Sequence, residues 1–154
     1  MTRSSIQRRP PPDQAERDRI ERELDTTMLV EAAAGTGKTT SMVNRLVALL
    51  AEGRCKVGAL AAVTFTRKAA AELRARFQVK LEERAREATG AAATRLAEAV
   101  AHVEQCFIGT IHSFCARLLR ERPVEAGVDV AFEELEEEAD KRLRQEAWDE
   151  HIAG

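Results

Sequence analysis

Residues 32–39, with the sequence AAAGTGKT, have the types and spacing of a phosphate-binding loop. Gly35 and Gly37 can take backbone angles closed to other residues, so main-chain N–H groups can close around an anion. The Lys38 ammonium can then reach the β- and γ-phosphates of ATP, and the Thr39 hydroxyl can hold a bridging Mg²⁺, which makes these two the candidate catalytic residues. The candidate nucleotide-binding residues here are Ala32, Ala33, Ala34, Gly35, Thr36, Gly37, Lys38, Thr39 and Thr40.

Such a loop functions only between two particular elements. The apolar run Met28, Leu29 and Val30 predicts a strand over residues 27–31, and the pattern from Thr40 to Leu50 predicts a helix directly after the loop. The new helix would aim unpaired N–H groups and its positive dipole end at the bound anion. One position departs from the general pattern, because Ala32 stands where that pattern has glycine. The alternative to nucleotide binding is a glycine-rich helix N-terminus within a core turn.

The rest of the chain alternates between helix and strand patterns. Asp13 can cap a first helix, and two short apolar runs predict further strands near residues 60–63 and 106–108. Strands separated by helices imply an α/β fold with a parallel sheet and right-handed crossovers. The helices are predicted over residues 14–24, 40–53, 67–90, 96–103, 112–121 and 134–152.

Composition bounds the class of protein. The 154 residues, 44% of them apolar, can form one domain, and because no apolar run approaches the length of a membrane span we expect no membrane partner. The three cysteines are irregularly spaced, which favours reduced, buried thiols in the cytoplasm over disulfides. Cys106, His112 and Cys115 could be imagined as metal ligands, but a fourth ligand and paired CxxC spacing are both missing.

Charge is unevenly distributed. Residues 131–154 hold nine acidic and three basic residues, so the other 17 acidic and 21 basic residues give residues 1–130 a balance of +4. Basic residues cluster between Arg67 and Arg86, where they could meet a phosphate backbone. A solvated helix face with acidic and basic side chains at helical spacing explains the same cluster equally well.

Two further segments place hydroxyls, an aromatic ring and a cation after the second and third predicted strands. Ligands of open α/β sheets bind at the carboxyl ends of strands, and this mixture suits single-stranded DNA. Phe65 could stack on a base, although such a phenylalanine is more often a core residue, and His112 is more often a hydrogen-bonding residue at a helix start. The candidate DNA-binding residues are Thr64, Phe65, Thr66, Arg67, Thr110, His112 and Ser113.

The order of these segments resembles the start of the first motor domain of the UvrD/Rep family of superfamily 1 DNA helicases. Asp13 and Gln14 resemble the Q motif, AAAGTGKT motif I, TFTRKAAAEL motif Ia, and GTIHSF the DNA-contacting motif that follows. The continuation FIGTIHSFC and LLRERP is most similar to the helicase component of RecB- and AddA-type helicase-nucleases.

The resemblance implies a RecA-like P-loop NTPase fold, with three layers and a parallel sheet. It implies that Gln14 reads the adenine edge, that Lys38 and Thr39 hold the phosphates and Mg²⁺, and that Phe65 and Arg67 line the DNA channel. Thr110 and His112 would contact the DNA backbone. The complete protein would use ATP hydrolysis to move 3′ to 5′ along single-stranded DNA in repair and recombination, with a helicase-nuclease partner subunit.

The chain also departs from this pattern. A complete motor needs a carboxylate pair after another core strand, and only residues 128–134 resemble it, without the expected first Asp. We therefore expect a truncated chain with little turnover of its own. Residues 1–12 would form a flexible arm, residues 13–132 an incomplete first motor domain, and residues 133–154 an acidic helix leading into an absent accessory domain.

Two other classes of protein stay open at this point. One is a small stand-alone P-loop enzyme such as a kinase, which would need a substrate pocket and an acidic residue that the sequence does not reveal. The other is a regulatory module that docks on a partner through its acidic tail helix. The segments TFTRKAAAEL and GTIHSF together favour the helicase fragment over both.

Overall fold

A parallel pair of strands packs against helices in the part of the chain that precedes His112. The computed structural model describes residues 11–33, 35–135 and 137–153. Within these residues the chain divides into two compact units, one ending at Ile111 and the other beginning at His112. Most of the predicted arm, up to residue 10, and Ala34 of the loop lie outside the described residues.

The first unit contains four α-helices, two strands and two 3₁₀ turns in its described part. They are α1 (Gln14–Arg22), α2 (Lys38–Ala51), a 3₁₀ turn (Val57–Ala59), β1 (Ala61–Thr64), α3 (Arg67–Glu87), α4 (Gly90–Ala101), a second 3₁₀ turn (Val103–Gln105) and β2 (Phe107–Thr110). β1 and β2 run parallel, and their register pairs Ala61 with Phe107 and Thr64 with Thr110. The α/β class and the parallel pairing of these two strands are therefore confirmed.

The core of this unit follows from helical spacing. Ala70, Leu73, Phe77 and Leu81 recur every three or four residues along α3, and all four are buried. Leu73, Phe77 and Leu81 pack with residues from α2, α4 and the two strands. The buried apolar cluster around them contains Val43, Val47, Leu50, Val57, Leu60, Ala62, Leu96, Ala99, Cys106 and Ile108.

The strand predicted over residues 27–31 is wrong. Residues 27–33 have no regular secondary structure, and Leu29 is 89% exposed. A strand needs a neighbour for its backbone hydrogen bonds, and among the described residues β1 and β2 pair only with each other. Apolar composition alone therefore did not make this segment a strand.

Arg45 of α2 holds the segment before the loop instead. Its guanidinium donates to the main-chain oxygens of Ile20, at 2.7 Å, and Thr26, at 2.8 Å. A longer bond of 3.1 Å reaches the oxygen of Glu23 just after α1. One half-buried arginine thus ties α2 to the end of α1 and to the chain that enters the loop. Sequence reasoning had assigned Arg45 no role.

Helices make up most of the second unit. It contains most of α5 (Ile111–Glu121), then α6 (Pro123–Ala126) and α7 (Glu137–Ala153). α6 begins at a proline and is capped by Gly127, which has a φ of 65°. Arg120 pairs with Glu134 at 2.9 Å and lies 5.1 Å from the Phe132 ring centre. Trp148 and Ile152 of α7 are exposed. In the part of the chain that the structure describes, no helix is both long and apolar enough to cross a membrane.

The cysteines differ in environment. Cys106 is buried as predicted and Cys55 is half-buried, where burial raises the pKa of its thiol. Cys115 is exposed, so the prediction of a buried thiol is wrong there, because this position of α5 faces outward rather than into a core. None of the three forms a disulfide, and no metal-binding cluster of three His, Cys, Asp or Glu occurs within the described ranges.

Candidate nucleotide and nucleic-acid site

The predicted phosphate-binding loop turns on its two glycines. Gly35 has a φ of 80° and Gly37 a φ of 90°, in the left-handed region where a side chain is strained. Gly37 is the N-cap of α2, so the helix begins at Lys38 rather than at Thr40 as the sequence suggested. The first unpaired N–H groups of α2 therefore follow the second glycine directly, which is an arrangement suited to an anion.

The Lys38 ammonium folds back over the loop. Its Nζ donates to the main-chain oxygen of Ala33, at 2.9 Å, and to that of Ala32. The Thr36 hydroxyl also donates to the oxygen of Ala33, at 2.7 Å, which tightens the turn. Thr39 and Thr40, in the first turn of α2, are exposed. The cation and hydroxyls that a polyphosphate would need are thus brought to one place.

Gln14 lies in the first turn of α1 and is exposed. Its side-chain amide donates to the Asp18 carboxylate at 2.7 Å, one helical turn along. Asp13 occupies the predicted N-cap, but its side chain does not cap the helix. It accepts a hydrogen bond from Arg17 at 2.8 Å instead, and this bond lowers the pKa of the Asp13 carboxyl below its usual range.

Sequence reasoning missed Arg17. The spacing of Asp13 and Arg17 is that of an ordinary helical ion pair, which predicts nothing beyond α1. In the structure, Nη2 of Arg17 also donates to the main-chain oxygen of Thr36, at 2.7 Å. The two residues are 19 positions apart in the sequence, so local spacing could not predict this contact. Arg17 links α1 to the glycine-rich loop.

A cleft of about 620 Å³ lies beside the loop. Lys38 and Ser41 of α2 line one side, and the segment containing Met28 and Val30 lines another. The segment containing Met28 and Val30 is the one that was predicted to form a strand. The cleft leaves Lys38 accessible from this side.

The candidate DNA-binding residues of the first unit gather at one end of the sheet. Thr64 and Thr110 are register partners, so they lie side by side where the two parallel strands end. Phe65 follows β1 directly and is 91% exposed, so it is not a core residue. The ring is available for stacking, which composition could not decide.

The start of α3 adds positive charge to this end of the sheet. The Thr66 hydroxyl caps α3 by accepting from the Ala69 N–H at 3.1 Å, which leaves its own hydrogen available to an acceptor. Arg67 and Lys68 are exposed, and neither forms an ion pair with another residue in the described parts of the chain. The helix start and both cations favour a phosphate backbone here.

His112 and Ser113 belong to the second unit, in the first turn of α5. His112 is exposed and Ser113 is half-buried. The structure therefore groups Thr64, Phe65, Thr66, Arg67 and Thr110 within one unit, whereas His112 and Ser113 follow in the next. In the chain, β1 directly precedes Phe65 and Thr66, and β2 directly precedes the start of α5.

The structure is thus an α/β protein in which a loop with two left-handed glycines leads into a helix that begins at a lysine. The UvrD/REP helicase N-terminal domain family matches residues 13–153. This chain belongs to that family, which confirms the resemblance given by its motifs.

Several curated proteins are similar to the chain. A component of the ATP-dependent helicase/nuclease of Heliobacterium modesticaldum is 39% identical over 127 residues, which are 82% of this chain and 9% of that protein. The same component from Listeria welshimeri is 35% identical over 125 residues, covering 80% of this chain and 10% of the relative. A DNA helicase II of Haemophilus influenzae is 36% identical over 115 residues, covering 75% and 14%. The chain therefore spans about a tenth of the length of these relatives.

Proposed function

We propose that this chain is the ATP-binding portion of a UvrD-like 3′–5′ DNA helicase that acts in DNA repair or recombination. In the complete protein, ATP hydrolysis would be coupled to movement along single-stranded DNA. The observation that carries the proposal is the loop itself, where two left-handed glycines lead into a helix that begins at Lys38. The family match supports a role for that loop in a DNA motor.

The proposal assigns the nucleotide site by residue. Lys38 would exchange the oxygens of Ala32 and Ala33 for phosphate oxygens, and the N–H groups that follow Gly35 and Gly37 would cradle the same group. Gln14 would turn from Asp18 to the adenine edge. The proposed fold of the complete domain is RecA-like, with residues 13–132 as its incomplete first motor domain.

Mg²⁺ fits this site through Thr39. The described residues contain no cluster of three metal-ligating side chains, so the ion would be held by the Thr39 hydroxyl, phosphate oxygens and water. Mg²⁺ in nucleotide sites commonly keeps several waters and takes few protein ligands. When bound, it neutralises the phosphate charge.

Single-stranded DNA is the proposed second ligand. Phe65 would stack on a base, Arg67 would neutralise phosphates, and Thr64, Thr66 and Thr110 would donate hydrogen bonds to the backbone. His112 and Ser113, in the second unit, would contact DNA as well. A partner subunit of the helicase/nuclease type accords with the names of the similar proteins. A cytoplasmic location is also part of the proposal.

Two titrations of the whole chain test the proposal. We expect saturable binding of a fluorescent ATP analogue that competes with unlabelled ATP and strengthens with Mg²⁺. We also expect a labelled oligo(dT) to bind more weakly, with an affinity that falls as salt rises because counterions are released from the phosphates. The proposal fails for the nucleotide if ATP does not compete, and for the DNA if oligo(dT) binding is absent at low salt.

A further inference from the structure

The Arg17 side chain lies against the peptide that joins Thr36 to Gly37. One of its nitrogens, Nη2, is 2.7 Å from the Thr36 oxygen and 2.8 Å from the Asp13 carboxylate. The other, Nη1, is 3.1 Å from the place that a Cβ on Gly37 would occupy. The side chain is only 25% exposed. Asp13 orients the guanidinium, and the guanidinium holds the loop.

The geometry of a trans peptide gives this contact a consequence. The Thr36 C=O and the Gly37 N–H belong to the same planar unit, so they point in opposite directions. No cis peptide occurs in the described chain. With the carbonyl drawn toward Arg17, the Gly37 N–H is directed away from it, and it donates to no other residue that the structure describes.

That N–H is one of the groups a phosphate-binding loop uses. The backbone N–H groups of such a loop cradle the phosphates, and that of Gly37 immediately precedes Lys38. The peptide plane between Thr36 and Gly37 can rotate easily, since Gly37 has no side chain to prevent it. A hydrogen bond that fixes the opposite end of the peptide removes this freedom, and preorganised donors bind more tightly than mobile ones.

We propose that Arg17 is a positioning residue for the phosphate site, which sets the direction of the Gly37 N–H by holding the Thr36 carbonyl. It acts through the peptide and does not touch the nucleotide. The proposal rests on the proposed ATP binding of the loop. It adds a residue of α1, other than Gln14, to the nucleotide site.

The test compares Arg17→Ala and Arg17→Lys with Arg19→Ala. Arg19 lies on the same helix and pairs with Glu23 at 2.9 Å, without a contact to the loop, so its variant controls for lost charge in α1. The ATP affinity of each whole chain is measured by calorimetry, and the Gly37 amide signal is recorded by ¹H–¹⁵N NMR without nucleotide. Thermal unfolding shows that each variant is folded at the temperature used.

We expect Arg17→Ala to shift the Gly37 signal and to weaken ATP binding about fivefold, the value of one ordinary hydrogen bond. The ATP affinity of Arg17→Lys should lie between those of Arg17→Ala and the original chain, because an ammonium can still donate to the Thr36 oxygen. Arg19→Ala should change neither readout.

Either of two results would overturn this inference and leave the proposed function standing. One is an unchanged ATP affinity in Arg17→Ala, and the other is weaker ATP binding with an unmoved Gly37 signal. If Arg17→Ala does not fold, Arg17→Lys decides by the same two readouts. If the unsubstituted chain binds no ATP, the proposed function fails and the inference fails with it.

Discussion

Lys38→Ala is expected to weaken ATP binding by roughly 10- to 150-fold, since a hydrogen bond to a charged group contributes about 1.5–3 kcal/mol. Lys38 is exposed and now bonds only the oxygens of Ala32 and Ala33 among the described residues. Ala32 and Ala33 are exposed, so water can replace the ammonium at their oxygens, and the fold should persist. Calorimetry with Mg²⁺ and ATP measures the change.

Lys56→Ala is the matched control. Lys56 is exposed and lies beside the end of α2 near Leu50, whereas the loop precedes the start of α2, so this variant removes the same charge away from the loop. Its ATP affinity should equal that of the original chain. An ATP affinity that survives Lys38→Ala would show that the nucleotide binds elsewhere or not through its phosphates.

Phe65→Ala is expected to weaken single-stranded DNA binding by roughly 5- to 150-fold, because stacking on an aromatic ring is worth about 1–3 kcal/mol per base. The ring is 91% exposed, so its loss creates no cavity and should leave thermal stability unchanged. Fluorescence anisotropy with oligo(dT) at low salt measures the affinity. ATP affinity should not change.

Val79→Ala serves as the comparison for this variant. Val79 is an apolar residue of α3 that is 56% exposed, so the variant removes exposed apolar surface away from the end of β1. It should bind oligo(dT) as the original chain does. Equal DNA affinity in all three chains would remove Phe65 from the proposed interface, and a lower melting temperature for Phe65→Ala would indicate a packing role.

Local patterns predicted six of the seven α-helices in the described residues, although α4 begins six residues before the predicted 96–103 and α6 was not predicted. The spacing of Leu73, Phe77 and Leu81 identifies the buried face of α3, because side chains three and four residues apart share a face whatever surrounds them. The predicted helix over 14–24 ends two residues early, and the one over 134–152 begins three residues late. Helix ends depend on caps as well as periodicity, which explains these differences.

Strands and long-range contacts were harder to predict. The segment at 27–31 and β1 each contain three consecutive apolar residues, but a strand also requires a partner, and periodicity says nothing about partners. The exposure of Phe65 depends on its place just after a strand end rather than on its residue type. Arg17 and Arg45 look like ordinary helix-surface cations, and only the folded chain brings them to the main-chain oxygens that they bind.

The most direct test of the central claim is to locate ATP on the chain by ¹H–¹⁵N NMR during a titration with Mg²⁺ and ATP. We expect the amide signals of Gly35, Gly37, Lys38 and Thr39 to move together and saturate, because their N–H groups would receive the phosphates. Signals that stay fixed at the loop, or that move only at the distant cavity lined by Gly53, Arg95 and His102, would contradict the account.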